Sequence, residues 1–392
     1  MACVTGTNVV NDGLVFHFDL ENGVKSFRGK PTTNLLAGTN LINWSGTGSR
    51  VADTTVLSEK YKGGTIWHLE DADGVDPNVS TDNYYMYNSY GPVSAGQQYT
   101  LSLDIKVLQK SNIPNGGATN AIWIWYAQTT EYVYITNLPL GEWTRVHVTC
   151  TAGATYNYLI PRIDYDSNII EIANIQFESG SIATKYIDGI RLDTASIVDV
   201  SPTRSTITAA NLTYSQDDTP TFDGTNDFLS TGTPNITSTS FTLNSWVKLY
   251  SLNRYNPIIG DYQYDWFGLY FDSSNNIVSM HRKGSGQDNR LSYATNSFIN
   301  TGTWYHITSV FDINVGKSLF INGEQVATNT NIYDFTLAAP RGPQYIGRHA
   351  RGAPGSPEYM NGEISQVKIY NKALTDAEVK QNFEATRTRY GI

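Results

Sequence analysis

Charged side chains are scarce in this chain. Asp, Glu, Lys and Arg supply 16% of its 392 residues, against roughly 25% in ordinary soluble domains. The charge present leans acidic, to a net −9. A nucleic-acid binder shows a basic face to phosphate, and docking on anionic lipid needs the same sign, so neither partner is expected. The acidic excess is read as a solubility feature. Cysteine is nearly missing: Cys3 and Cys150 stand far apart, which excludes a disulfide framework and a thiolate zinc site. No apolar run approaches the roughly 18 residues of a membrane helix, so no membrane insertion is expected. The opening MACVTGTNVVNDG has no basic region followed by an apolar run, the pattern of a secretory signal. The expected history is synthesis in a cytoplasm and release by something other than secretion.

Catalytic signatures are missing too. There is no G-x-S-x-G elbow and no glycine-rich phosphate loop, and the six histidines are scattered. Cys150 follows His147 by three positions, and strand alternation puts the two on opposite faces. The nearest candidates for a glycosidase pair are Glu171 and Glu178, seven apart in EIANIQFE. An odd separation on a regular strand places them on opposite faces, which does not suit two carboxylates flanking one bond. No enzyme activity is expected, and no cofactor is required.

What the chain has in quantity is tyrosine and glycine, 26 and 33 residues, within a 12% aromatic share. Short β-rich runs recur between Gly, Asn, Asp and Pro: Leu14 to Asp19, Tyr99 to Ile105, Arg145 to Thr149, Phe241 to Leu249, Trp304 to Phe311, Ser318 to Asn322 and Glu363 to Tyr370. That pattern gives sandwiches or jelly rolls. Asn322-Gly323 between two apolar runs is a primed hairpin turn. One helix is expected near the C-terminus, where Thr375-Asp376-Ala377-Glu378 has capping-box spacing and Val379, Phe383 and Arg387 follow at steps of four.

Several runs carry a family resemblance. Phe222 to Leu229, Phe241 to Val247, Trp304 to Ile307, Leu319 to Gly323 and Gly362 to Thr375 resemble, in order and spacing, the laminin-G-like, concanavalin-A-like lectin domains of phage virion proteins. The tail from Asn382 to Ile392 looks like the ending of phage members. Gly13 to Asp19 is similar to the family's opening strand, and the piece that normally follows returns only near Ser196 to Tyr214. About 150 residues lie between, a normal domain size. That insert resembles the carbohydrate-binding-module-like jelly roll of phage tail proteins. It starts at Asn34-Leu35-Leu36, continues through Val93 to Ser102 and Trp143 to Val146, and closes with Ile175 to Ile187. The implied class is all-β: a concanavalin-A-like sandwich from 1–33 plus 190–392, an inserted jelly roll at 34–189, and a short C-terminal helix.

The resemblance implies a structural and adhesive protein on the surface of a tailed phage particle: a fibre, whisker or decoration protein. Its expected partners are other virion proteins, further copies of itself in a homo-oligomer, and host-surface carbohydrate. The alternatives are a bacterial cell-surface or secreted lectin and, less favoured, a polysaccharide depolymerase.

Sugars dock their C–H faces on aromatic rings. The candidate carbohydrate-binding residues are Trp67, Tyr84, Tyr85, Tyr87, Trp123, Trp125, Tyr132 and Tyr134. Trp123 and Trp125 share one strand face, but Ile122 and Ile124 claim burial on the other. Core and exposed platform both remain open for that tryptophan face. Trp44, Trp246 and Trp304 are assigned to cores. In the lectin-like part, the loops Asn253 to Trp266, Arg282 to Arg290 and Arg341 to Glu358 are rich in Tyr, Asn, Asp and Arg. They read either as recognition loops on a rigid scaffold or as solvated loops and subunit contacts. Relatives often hold calcium at a sandwich rim, which makes Asp223, Asn226 and Asp227 candidates for a structural calcium; a solvated turn is the other reading.

Overall fold

The computed structural model describes residues 8–20, 26–36, 54–70, 85–87, 89–116, 119–165, 168–188, 190–214, 220–232, 239–261, 267–282, 288–295, 298–330, 344–350 and 357–392. The chain divides into two compact units, one of Met1–Lys30, Leu192–Ser215 and Thr219–Ile392, the other of Pro31–Arg191. Each is a pair of sheets closed over its own apolar core, so the fold is all-β apart from short helices. Among the described residues no helix is long and apolar enough to cross a membrane.

In the first unit, an eight-stranded sheet runs Thr213–Tyr214, Pro220–Asp223, Asn361–Tyr370, Phe241–Leu249, Trp304–Asp312, Gly316–Ile321 and Glu324–Asn329, with Leu14–Asp19 also pairing Asn361–Tyr370. A seven-stranded sheet packs on it, in the order Ile207–Ala210, Phe228–Thr231, Gln344–Ile346, Asn256–Asp261, Phe267–Phe271, Ile277–Arg282 and Asp288–Tyr293. Alternation fills the space between. Phe16, Phe18, Leu243, Val247, Ile307 and Val367 come from the first sheet, Leu229, Ile259, Leu269, Phe271 and Ile346 from the second. Each fully buried side chain of this size contributes about 1.5–3 kcal/mol. At the turn after Ile321, Asn322 and Gly323 take φ of 50° and 80°, the two positive values a type I′ hairpin needs.

The helix is Asp376–Glu384, with both halves of the capping box made between Thr375 and Glu378. Val379 and Phe383 are buried, while Arg387 falls in the 3₁₀ turn Arg387–Tyr390 and pairs with Glu384. This tail covers the outer face of the eight-stranded sheet. Trp246 is fully buried there, its ring 4.0 Å from Tyr390 and 5.9 Å from Phe383. Its indole N–H donates to Thr386 Oγ1 at 2.9 Å. Trp246 is thus a core residue of the sheet–tail layer and not of the space between sheets, because Leu243 and Val247 take the inward positions. Trp304 is only partly buried, packed against the same tail cluster. Lys368 shares this outer face and is fully buried, opposite His17 and Asn244 on the adjoining strands. Its ammonium group donates to Gln366 Oε1. Gln366 Nε2 in turn donates to Asp19 Oδ2 at 2.9 Å, which also accepts from Arg389 Nη1 at 2.8 Å.

In the second unit, a six-stranded sheet runs Thr54–Tyr61, Gly64–Leu69, Ile169–Ser179, Gln98–Gln109, Trp143–Ala152 and Ala127–Thr130. The facing four-stranded sheet runs Tyr85–Tyr87, Ile160–Asp164, Ala121–Trp125 and Val133–Tyr134. Its core gathers Leu101, Leu103, Ile105, Ile122, Ile124, Ile163, Ile172 and Phe177. The ends of the unit pair with each other, Thr32 with Arg191 and Thr33 with Ile190. The run from Ile175 to Ile187 is a clasp. The buried Glu178 carboxylate accepts from Thr32 Oγ1, Gln176 Nε2, Thr184 N and Thr184 Oγ1 at 2.7–2.9 Å. Gln176 Oε1 accepts from Ile187 N at 2.8 Å.

Candidate functional site

The ambiguous strand Ala121–Trp125 resolves in one direction. Ile122 and Ile124 enter the core, so Trp123 and Trp125 stand on the outer face of the four-stranded sheet. Strand register builds a row across that face: Tyr87 lies opposite Arg162, and Arg162 opposite Trp123. Tyr134 lies opposite Ala121 on the other side. The Arg162 guanidinium sits 5.6 Å from the Trp123 ring and 5.3 Å from the Trp125 ring. Asp164, two residues on and therefore on the same face, holds it from below through Nε at 2.9 Å and Nη2 at 2.7 Å. The Trp123 indole N–H donates to the other Asp164 oxygen. Burial pushes the Asp164 carboxyl up, opposed by the Arg162 pair and the indole N–H. Trp123 is the fixed floor of the site, 8% exposed, and Arg162 is a clamped wall.

Around this floor the rings continue. Tyr132 lies 5.6 Å from Trp123 at 23°, and Tyr134 lies 6.2 Å from Tyr132 at 10°. On the other flank Tyr126 stacks on Trp125 at 4.5 Å and 10°, and Tyr156 meets Tyr126 at 4.3 Å. Tyr158 closes against Tyr126 edge to face at 5.2 Å. Tyr126 has φ of +63°, a region a bulky residue occupies at a cost of about 1–3 kcal/mol. The turn it makes sends the chain from the four-stranded sheet into Ala127–Thr130 of the six-stranded one, and it lays the ring flat on Trp125. Three large rings stay open to solvent: Trp125 at 40%, Tyr132 at 40% and Tyr156 at 42%. Together these rings form an exposed aromatic patch beside a rigid strand.

Of the residues singled out by sequence, Tyr87, Trp123, Trp125, Tyr132 and Tyr134 come together on this face. Trp67 does not. It lies on the other sheet, opposite Ile172, and packs half-buried against the core with Leu69; its parity follows Leu69 inward. Tyr84 lies outside the described residues, and for Tyr85 only the strand position, opposite Asp164, is described. Tyr126, Tyr156, Tyr158, Arg162 and Asp164 were missed. The spacings Tyr156-x-Tyr158 and Arg162-x-Asp164 are the signals that point to them.

Strand parity does not separate the carboxylate pair. Glu171 and Glu178 share the outer face of the six-stranded sheet, because a bulge between Ala173 and Gln176, with Asn174 at φ +53°, resets the parity. They lie opposite Lys106 and Thr100 of one neighbouring strand. Six strand positions set them about 20 Å apart, where a glycosidase pair needs roughly 5–9.5 Å. Glu171 is also bonded to Lys106 at 3.1 Å. His147 is exposed and Cys150 buried, its thiol pushed up to about 12 by burial. At the turn after Pro220–Asp223, Asp227 Oδ2 accepts from Asp223 N at 2.8 Å and Thr213 Oγ1 at 3.2 Å, and Asp223 Oδ1 accepts from Thr225 N. Arg254 Nη2 donates to Gly224 O at 2.7 Å. Asp227 Oδ1 alone is left buried without a partner. Asp223 Oδ1 and Asp227 Oδ2 are already taken up by the turn's own hydrogen bonds, so Asp223, Asn226 and Asp227 do not present the preformed cage of six to eight oxygens that calcium takes. Among the described residues no three His, Cys, Asp or Glu converge as metal ligands.

Two stacked antiparallel sheets of eight and seven strands, with the first strand returning beside the last, define a concanavalin-A-like lectin fold. Residues 222–380 match the laminin-G-type model of the concanavalin A-like lectin/glucanases superfamily. No curated protein matches the sequence. Among solved structures, the chain is similar to the receptor-binding domain of botulinum neurotoxin C/D mosaic serotype, at 16% identity over 49% of this chain and 50% of that one, TM-score 0.39. It is similar to the botulinum neurotoxin serotype D binding domain at 17% identity over the same shares, also 0.39. A structure of NanB matches at 18% identity over 37% of this chain and 24% of that one, TM-score 0.32. The chain spans about half the length of the toxin domains it matches.

Proposed function

We propose that this protein is a glycan-binding, adhesive component on the surface of a tailed phage particle, and that the aromatic ledge of the inserted sandwich is its contact. The observation that carries the reading is the set of open rings, Trp125, Tyr132 and Tyr156, aligned beside a guanidinium that Asp164 already neutralises. Flat apolar rings accept the C–H face of a sugar, and a clamped guanidinium donates to hydroxyls without reorganising. The lectin fold of the other unit supports the same class of partner, and the sequence resemblance supports the particle. Several copies on one particle would convert weak single contacts into useful avidity, which is why homo-oligomerisation and other virion proteins belong to the reading. A bacterial cell-surface or secreted lectin would use the same ledge; recovery of the chain from purified particles by mass spectrometry separates the two.

The test of the ledge is a glycan array probed with the intact chain and with Trp125→Ala. The substitution removes an exposed ring and leaves the core untouched. Central aromatic anchors contribute about 2 kcal/mol or more, so the bound signal is expected to fall at least tenfold at unchanged melting temperature. Undiminished glycan binding by the variant would remove the ledge from the reading.

A further inference from the structure

We propose that the lectin-type unit carries a second sugar site, in which the Arg348 guanidinium receives the carboxylate of an acidic saccharide. This rests on the reading of the chain as a glycan binder and adds the class of sugar. Arg348 opens the short strand Arg348–Ala350, inside the Arg341-to-Glu358 stretch. Three rings grip it: its guanidinium carbon lies 4.6 Å from the Tyr345 centroid, 4.9 Å from Phe228 and 5.9 Å from Tyr359. Phe228 and Tyr345 meet edge to face at 5.2 Å, forming a fixed corner.

The charge in this cage is unmet. The Arg348 side chain makes no hydrogen bond or ion pair among the described residues, and its Nε is buried without a partner. The terminal nitrogens are not among the buried orphans, so they reach solvent. An arginine that only packs keeps its head in water and its stem on the rings; here the rings hold the head. Aromatic faces stabilise the cation from the flat sides and leave the in-plane donors free. Those donors form the fork that matches a carboxylate with two parallel hydrogen bonds. The second guanidinium nearby has the same sign: Arg254 Nη2 donates to Gly224 O and, at 3.1 Å, to Tyr359 O, with no carboxylate partner among the described residues. Asp223 is exposed, with Oδ1 held by Thr225 N. On a chain of net −9, a caged and unpaired arginine is a place where an acid binds.

The experiment is calorimetric titration of the full chain with polygalacturonate, with its fully methyl-esterified form, and with neutral dextran. The ester keeps the sugar and removes the charge. The expected result is binding of polygalacturonate at least tenfold tighter than of its ester. Arg348→Gln abolishes that preference. Arg348→Lys, which keeps the charge and loses the fork, lowers it at least threefold at an unchanged melting temperature, so loss of folding is not the cause. Trp125→Ala leaves the preference intact. Equal binding of acid and ester by the wild type, or an acid preference that survives Arg348→Gln, overturns the site. Displacement by millimolar inorganic sulfate as effective as by the acidic sugar overturns the carboxylate assignment. Neutral glycan held through Trp125 without any acid preference refutes this site alone; no glycan bound by any variant refutes the reading on which it rests.

Discussion

Replacing Lys368 by methionine should stabilise the lectin-type unit in acid and destabilise it in base. The lysine is fully buried on the outer face of the eight-stranded sheet, beneath the C-terminal tail. Burial pulls its pKa from the ordinary 10.5 to about 7, with Asp19 pulling upward and Arg389 adding to the fall. Burial and the Lys368 charge also push His17 down to about 3, and His306 is lowered for the same reasons. Both histidines are therefore neutral across the window that matters. Between pH 7 and 10.5 the unfolded chain holds the Lys368 proton more tightly than the folded one, so stability rises with pH through that interval. Below pH 7 both states carry the proton and the full penalty remains. At 1.36 kcal/mol per pH unit, the gap from 10.5 to about 7 corresponds to about 5 kcal/mol. Methionine removes that penalty but orphans Gln366 Oε1, at a cost of about 1–3 kcal/mol. The net expectation for Lys368→Met is a gain of about 2–4 kcal/mol at pH 6, shrinking above neutrality, changing sign between about pH 8 and 10, and levelling at a loss of about 1–3 kcal/mol above pH 10.5. Hydrogen exchange of peptides from Phe241–Leu249 and Asn361–Tyr370, followed through urea unfolding at several pH values, isolates this unit from the other. A difference that keeps one sign and one size from pH 6 to 11 would refute the assignment of a neutral buried amine.

Glu178→Gln keeps the shape of the clasp but turns one acceptor oxygen into a donor facing Thr184 and Thr32; it should cost the inserted sandwich about 2–4 kcal/mol, read as a lower denaturation midpoint for peptides of the Pro31–Arg191 unit only. Chelation by EDTA should leave the lectin-type unit where it was, whereas a calcium held at a hundred times its Kd would have supplied about 2.7 kcal/mol; a calcium-dependent rise in melting temperature that Asp227→Asn removes would show the turn at 223–227 to be a cation site after all.

How much of this was legible in the sequence depends on local pattern against long-range register. The helix from Asp376 was readable because its capping box is a four-residue event, and the Asn322-Gly323 turn because two positive φ values leave few other residues able to serve. The face of Trp123 and Trp125 was not readable, since isoleucines two apart compete equally well for the core. What decides it is Arg162-x-Asp164 on the adjoining strand: a guanidinium and a carboxylate cannot share the side of Ile163 with the core, so the tryptophans opposite them face outward too. Glu171 and Glu178 went to the wrong faces because a bulge at Asn174 inserts residues that no alternation rule anticipates. The burial of Trp246 was readable and its layer was not; only the folded tail shows that a sheet can have a second apolar side. The Arg348 cage draws rings from Tyr345 and Tyr359 and from Phe228, which sequence places more than a hundred positions upstream of both, and no local pattern joins it to them.

The pairing of Leu14–Asp19 with Asn361–Tyr370 makes the first strand a waiting piece during synthesis. At about 5–20 residues per second, its partner leaves the ribosome roughly 20–70 s later. The segment between can settle first, because Thr32 and Arg191 tie its own ends together. Folding it shortens the free tether between the waiting strand and its mate from about 340 to about 180 residues, which lowers the closure entropy by only about 0.6 kcal/mol. What the early partner chiefly supplies is therefore protection: while Phe16 and Phe18 have no sheet to enter, fewer unfolded residues are on hand to pair with them wrongly.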